Sequence, residues 1–437
     1  MHTKKHLSFS GLKSQLIGRI SEIKDWRDIG KVEYSMQDFF MSGFAMMYFQ
    51  DPSILQFQQR LEDEMHQNNL RTIFGVGKIP KETQMRDMID EVSFRALEPV
   101  FSDWFLSLQR GKHLEQYQFL PSEYLVSIDA TGYFGSDKIN CPGCLFKEEK
   151  KGSTHYYHLI EQAVLMYPGC KQVIPLCPEP VINTDGTDKQ DCEINAGKRL
   201  IEKIHNTHPK LKLIIVGDGL YSKQPFIKKV EENNMKYILV AKPDDHKCLM
   251  EFIEGSRKLG AVSRYEVKDV KGRKHKYEWM NKVPLNGNGN SCDVNYFEYW
   301  LEDKGKVTYH NSWVTDIEIN EKNVEWLVKG GRCRWKIENE TFNTLKNQGY
   351  HIEHNFGHGK KNLSMNFFML NLLAFFMHQI FELTCLVYQR ARAKFSRREE
   401  YWNQLRCTLR ILIFGSWEEL LYKIIYPKIP FSSLMEN

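Results

Sequence analysis

The run Leu211-Lys-Leu-Ile-Ile-Val216 narrows most sharply what this chain can fold into. A nearly continuous apolar run of that length is typical of a central strand covered on both faces, so the sheet it belongs to needs helices above and below. It leads straight into Gly217-Asp218-Gly219, where the chain must turn. Beyond the turn, Phe226, Ile227 and Val230 mark the apolar side of a helix with Ser222 as its expected N-cap, and Tyr237-Ile-Leu-Val-Ala241 reads as the next strand. Strand, helix, strand is the rhythm of an α/β layered domain. Open sheets of this kind carry their sites at the C-terminal ends of strands, which is where Asp218 stands.

An earlier strand is expected at Tyr124-Leu-Val-Ser-Ile-Asp129, ending at Thr131-Gly132, and another at Gln172-Val-Ile-Pro-Leu176. Asp129 is therefore also placed at a strand end. Two aspartates on neighbouring strands can share divalent cations, because magnesium takes hard oxygen ligands. Two ions roughly 3.5–4 Å apart would activate a nucleophile and stabilise a leaving oxygen in phosphoryl transfer. Either aspartate alone reads more simply as an ordinary turn residue.

The remaining chain divides around this core. Residues 1–118 read as helical, with Leu12, Leu16, Ile20 and Ile23 at helical spacing and Phe39, Phe40, Phe44 and Met47 continuing the pattern. After Gly75-Val-Gly-Lys-Ile-Pro80 a further helix is expected near Thr83, and Lys78, Lys81 and Arg86 would suit a DNA-binding module. Residues 119–261 hold the first part of the α/β core. From 262 to 320, short aromatic and β-branched runs alternate with Lys271-Gly272, Asn286-Gly-Asn-Gly-Asn290 and Asp303-Lys-Gly305, the pattern of a β-rich insertion. Residues 321–385 return to helix. Residues 386–437 form a basic helical C-terminal region, where Arg390, Arg392, Lys394, Arg397 and Arg398 make either a solvated face or a surface that tracks phosphates.

Composition excludes little by itself. The 60 Lys+Arg against 55 Asp+Glu leave a net charge of only +5, so any nucleic-acid signal must come from distribution. No apolar stretch follows the first residues, so no secretory signal is expected. Ten cysteines then suggest reduced thiols in the cytoplasm. The most apolar segment, Leu363 to Tyr388, is interrupted by Asn366, Asn371, His378, Gln379 and Glu382, which favours a buried helix over a membrane span.

A third carboxylate stands out in Arg334-Trp-Lys-Ile-Glu338-Asn-Glu340-Thr-Phe342-Asn-Thr-Leu345-Lys346. On a regular helix, about 100° per residue puts Trp335, Phe342 and Leu345 on one face, Glu338 amid them and Glu340 nearly opposite. A carboxylate on a core-facing stripe is expensive unless a cation pairs with it. Arg334, one turn back, offers a structural ion pair; a metal ligand supported by that arginine is the other reading.

A strand ending in Asp129, a later one ending in Asp218-Gly219, and a helical Arg334-x-x-x-Glu338 followed by Lys346 together resemble the DDE transposases of bacterial insertion sequences. The likeness is to the branch with a β-rich insertion before the glutamate. It covers most of residues 70–380, including Ile79-Pro80, Gln84-Met-Arg86, Ser127-Ile-Asp-Ala-Thr-Gly132, Pro178-Glu-Pro180 and Asp191-Cys-Glu193, and the spacings of about 90 and about 120 residues between the acids agree. The resemblance implies an RNase H-like catalytic core, with Asp129, Asp218 and Glu338 as catalytic ligands of two Mg2+ or Mn2+ ions. It also implies Arg334 and Lys346 on DNA phosphate, double-stranded DNA (terminal inverted repeats and target) as partner, and a homodimer in the synaptic complex. The chain departs from the branch signature at Gly331, where a tyrosine is usual, and at Lys346, one residue later than usual.

Two further clusters carry chemistry. Cys141-Pro-Gly-Cys144 followed by His155 and His158 has the ligand types of a tetrahedral zinc site, although Cys-Pro-Gly-Cys also makes a tight turn. Lys360 and Lys361 end the Gly-rich stretch His354-Asn-Phe-Gly-His-Gly-Lys-Lys361, which would suit a loop facing DNA. Asp188 or Asp191 is expected to cap the helix that bears Lys198 and Arg199, with Asp191 the substitute metal ligand should Asp129 fail. The alternative functions are an RNase H-like nuclease without strand transfer and a non-catalytic DNA-binding derivative.

Overall fold

The computed structural model describes residues 4–28, 30, 32–61, 63–149, 152–182, 190–287 and 292–429. The strands in chain order are β1 (Gln118–Leu120), β2 (Glu123–Ser136), β3 (Leu145–Glu148), β4 (Thr154–Met166), β5 (Ile174–Pro175) and β6 (Glu179–Pro180). They continue with β7 (Lys212–Gly217), β8 (Lys236–Val240), β9 (Ser263–Lys268), β10 (Lys274–Pro284), β11 (Asp293–Asp303) and β12 (Lys306–Thr315). They join one sheet in the order β3-β4-β2-β7-β8-β12-β11-β10-β9, with β1 on β2 and β5 and β6 on β4. Pairings β2–β7 and β7–β8 are parallel. Successive residues Leu213 to Val216 of β7 are all buried, so both faces of the centre are covered, as the apolar run requires. An antiparallel hairpin leading into parallel strands, with crossover helices Glu193–Thr207 and Gln224–Glu232, is the RNase H-like arrangement.

Strand β2 does not end at Thr131-Gly132. It runs on to Ser136 as a long hairpin with β4, its register shifting between Gly132 and Phe134. Its parallel neighbour β7, however, pairs with it only as far as Ser127. Asp129 therefore emerges just beyond the point where one side of the strand loses its partner. Strand β4 escapes a periodicity reading because His155, His158, Glu161 and Gln162 interrupt it, whereas the strand expected at 172–176 shrinks to Ile174–Pro175.

The β-rich stretch at 262–320 is an antiparallel meander that extends the same sheet. Trp313, Val314 and Thr315 of β12 pair with Val240, Leu239 and Ile238 of β8, so the end of β12 is itself a core strand. Positive φ at Lys304 (49°) and Gly305 (78°) makes the tight hairpin between β11 and β12. Residues 288–290 of the Asn-Gly run lie outside the described residues.

The helical N-terminal part shares one hydrophobic core with the sheet. Phe39, Phe40, Phe44 and Met47 lie on the helix Met36–Tyr48, which is buried almost all round and packs on the helix Leu363–Thr384. The latter is long and apolar enough to cross a membrane by length and composition, but it lies buried within the protein. Its buried polar side chains tie it to neighbouring segments through their donor or ring atoms. The Asn366 amide donates to the carbonyls of Ile89 (2.8 Å) and Val92 (2.7 Å), the Asn371 amide donates to Tyr350 O at 2.8 Å, and His378 Nδ1 meets the Tyr350 hydroxyl at 2.6 Å. Much of the basic C-terminal cluster is also spent on packing. Arg398 forms a largely buried ion pair with Glu382 at 2.7 Å, Lys394 donates to Ile425 O, and Arg392 donates to Phe395 O at 2.7 Å. Lys78 and Arg86 of the N-terminal part pair with Glu33 and Glu82.

Gly331, on the helix Val324–Arg332, lies flat against Trp313 of β12. A Cβ there would come within 2.5 Å of the indole Nε1, which explains why no tyrosine stands at this position. Gly331→Ala should therefore destabilise the fold by about 1–3 kcal/mol through overpacking, read as a lowered melting temperature. An unchanged melting temperature would show that Trp313 can move aside.

Candidate active site

Three segments bring carboxylates to one end of the parallel strands. On β2, Asp129 Oδ1 accepts a bond from the Ala130 amide at 3.0 Å. Asp218 follows the last residue of β7, and its Oδ1 accepts from the Leu220 amide at 2.8 Å, shaping the turn. At Gly217 a Cβ would meet the Tyr221 ring at 2.9 Å and Leu239 at 3.1 Å, so the turn closes only over a glycine. Glu338 lies in a π-helical segment, Ile337–Phe342. That wider turn breaks the expected helix phase. The buried face is Ile337, Thr341, Phe342 and Leu345, while Trp335 is 48% exposed and carries the Arg334 guanidinium over its ring at 4.8 Å. Glu338 sits beside the buried face and opens towards the other acids, and Glu340 is itself partly covered.

The acids are short of positive charge. Arg334 Nη1 lies 2.6 Å from Glu338 Oε1 and 3.7 Å from Asp129 Oδ2. Lys242 Nζ reaches Asp218 Oδ2 only at 4.0 Å. Burial pushes the Asp129 carboxyl up, Arg334 opposes it, and Asp218 and Glu338 add to the rise, leaving it at about 7. Glu161 of β4 is fully buried and accepts a 2.6 Å bond from the Tyr221 hydroxyl. Burial raises its carboxyl well above the usual range against that bond, with Asp129, Glu193 and Asp218 contributing. Burial and Asp218 also raise Glu193. Five carboxyl groups thus feel one another here. Glu161 and Tyr221 are absent from a sequence reading, although a lone carboxylate within Leu159-Ile-Glu-Gln-Ala-Val164 is the kind of signal that marks such a residue.

A set of hard oxygen donors with few cations fits a divalent metal. The three carboxylates are not drawn into a closed cluster, however. Among the described residues, the group of ligating side chains whose atoms lie within 4.8 Å of one another is Cys141, Cys144, His158 and His358. Arg334 stands between Asp129 and Glu338 instead. His155, expected beside the cysteines, is 2.6 Å from Asp137 and belongs to no such group; His358 takes that place.

The other basic residues named from the sequence have partners of their own or are exposed. Lys346 pairs with Glu353 at 2.8 Å, Lys361 with Glu91 at 2.6 Å, and the Lys360 amide donates to Asp90 at 2.8 Å while its side chain is exposed. Asp191 does not cap the helix Glu193–Thr207; Cys192 holds that position and Asp191 pairs with Arg199 at 2.7 Å. Asp188 lies outside the described residues. Ser222 is not a cap either: its hydroxyl donates to Gly219 O at 2.9 Å and meets His246 at 2.7 Å, and Lys223 precedes the helix.

Comparison with known families settles the class. The family model described as the transposase DDE domain matches residues 150–377, just over half of the chain. The chain belongs to the DDE transposases. No curated protein matches it. The matched DDE domain contains Asp218, Glu338, Glu161 and the central helix as far as Met377, and within it β9 to β12 prolong the sheet. Asp129 precedes the match, so its place beside the other acids of this transposase rests on its contact with Arg334 and the shared field.

Asp129 yields a test of that field. A carboxyl raised from 3.8 to about 7 in the fold lends stability that is complete below pH 3.8 and lost as pH rises through 7. Without divalent metal, Asp129→Asn should therefore melt higher than the parent at pH 8, by roughly 2 °C for each kcal/mol recovered. The gap should narrow towards pH 5. A variant that melts lower at pH 8 would mean Arg334 outweighs burial.

Proposed function

We propose that this transposase cuts the ends of its own element and joins them to target DNA, with two Mg2+ or Mn2+ ions held by Asp129, Asp218 and Glu338. The observation that carries the reading is that Asp129 and Glu338 share Arg334 while Asp218 acts on Asp129 from the neighbouring strand, a cation deficit that a metal would fill. Metal bound there supplies Lewis-acid activation of water, and then of the freed 3′-hydroxyl, as nucleophile.

The chain's own groups prepare that chemistry. Arg334 holds Glu338 on the strand side of its helix and moderates the repulsion between Glu338 and Asp129. Burial raises the Glu161 carboxyl, which disfavours a further negative charge beside the three acids. Its bond to Tyr221 braces the turn that presents Asp218, since the Tyr221 amide donates to Asp218 O at 3.2 Å. Double-stranded DNA would lie across this end of the sheet, with Arg334 near the cut and Lys346, Lys360 and Lys361 on phosphates. Lys346 and Lys361 would exchange Glu353 and Glu91 for the backbone. Holding two ends together calls for a homodimer. The acid set argues against a non-catalytic derivative; a nuclease without strand transfer is separated by assay.

Joining of a labelled terminal repeat to a plasmid in Mg2+ tests the proposal; cutting without joining leaves the nuclease reading. Asp218→Ala and Glu338→Gln should each lower end cleavage at least about 100-fold, while gel-shift binding of the ends persists. Glu340→Gln should keep most activity. A dead Glu340→Gln beside an active Glu338→Gln would reassign the third acid.

DNA binding should also weaken with salt. Replacing Lys360 and Lys361 together with alanine should flatten the log–log slope by about 2, one for each phosphate no longer neutralised. An unchanged slope removes that loop from the DNA surface.

A further inference from the structure

We propose that Cys141, Cys144, His158 and His358 form a structural zinc site that pins the loop between the Glu338 segment and the central helix to the sheet. The four ligating atoms lie within 4.8 Å of one another. The separations are 3.8 Å between the sulfurs, 3.5 Å and 3.4 Å from Cys141 and Cys144 Sγ to His158 Nε2, 3.5 Å from Cys144 Sγ to His358 Nε2, and 3.2 Å between the two Nε2 atoms. Zinc–sulfur bonds of about 2.3 Å and zinc–nitrogen bonds of about 2.0–2.1 Å at tetrahedral angles give edges of about 3.8, 3.6 and 3.3 Å for S–S, S–N and N–N. The five measured edges match this figure closely.

The protons agree with the distances. His358 Nδ1 is 3.0 Å from the Gly359 carbonyl and donates to it, which leaves Nε2 as a bare lone pair. His158 bonds the backbone of Gly143, and its Nε2 is the nitrogen that faces the sulfurs. Two imidazole lone pairs aimed at each other across 3.2 Å repel unless a cation lies between them. Carbonyls that fix the far nitrogen are the usual support of metal-bound histidines. Aromatic rings wall the site: Phe134 lies 4.2 Å from the His358 ring and Tyr133 stacks on His158 at 5.5 Å.

The site's place in the fold gives it a task. Cys141 and Cys144 lie between β2 and β3, His158 lies on β4 opposite Phe134, and His358 lies in the loop before Leu363. Phe134 is five residues from Asp129, about 16 Å along an extended strand. That separation makes the site distinct from the acids. On its other side the loop is held by Asp90, which accepts the backbone amides of Lys360, Lys361, Asn362 and Leu363. A Cβ at Gly359 would come within 2.3 Å of Asp90 Oδ1. Zinc and Asp90 would thus clamp the segment that follows Glu338 from both sides.

Metal analysis of the reduced, full-length protein after gel filtration should find about one tightly held zinc per chain. Cys144→Ser and His358→Ala should lose it, and His155→Ala should keep it. Should those variants fold poorly, Co2+ added to the unaltered protein in Mg2+ buffer should give the intense visible bands of a tetrahedral S2N2 site, which oxygen ligands do not produce. A reduced protein without zinc and without those bands overturns the proposal, as does zinc retained by His358→Ala and lost by His155→Ala.

Discussion

The cost of gathering negative charge, part of it buried, at one end of the parallel strands is the constraint on which this structure turns. Asp129, Asp218, Glu338, Glu161 and Glu193 influence one another, while Arg334 and Lys242 are the cations beside them. Burial of charge without pairing is expensive, so each acid needs its own remedy. Asp129 leans on Arg334, Glu161 accepts the Tyr221 hydroxyl while burial raises its carboxyl, and Asp218 caps its own turn. These remedies depend on strands β2, β4 and β7 being held in register by a core that includes both terminal helical regions.

What sequence could reveal follows from what local chemistry encodes. The buried strand at 211–216 was legible because a strand covered on both faces needs an unbroken apolar run, and β7 is that strand. Asp218 was legible because a glycine turn follows it. The helix phase around Glu338 was not, because a π-helical turn changes the angle per residue and leaves Trp335 outside. Periodicity assumes a regular helix, so it fails where the site bends one. Strand β4 was hidden by its own polar residues, His158 and Glu161, whose partners lie far away in sequence at His358 and Tyr221.

The basic residues teach the complementary lesson. A run of arginines reads as a surface, yet Arg398 is buried against Glu382, and Lys394 and Arg392 bind carbonyls within the C-terminal helices. Charge counts do not distinguish a phosphate-binding face from an internal clamp. Likewise the meander at 262–320 reads as an insertion, and in the fold its β12 closes onto β8 and continues the central sheet. Its Trp313 then dictates Gly331 three residues before Arg334, so the extension meets the segment that carries Arg334 through one close contact.

We propose that Asp129, Asp218 and Glu338 form a divalent-metal site whose charge is moderated by Arg334 until metal arrives. Anomalous diffraction from crystals grown with Mn2+ tests this most directly. Two peaks bounded by oxygens of Asp129, Asp218 and Glu338, with Arg334 withdrawn from between Asp129 and Glu338, are the predicted result. Manganese bound elsewhere, or an undisturbed Arg334–Glu338 pair with no peak beside it at saturating Mn2+, would contradict it.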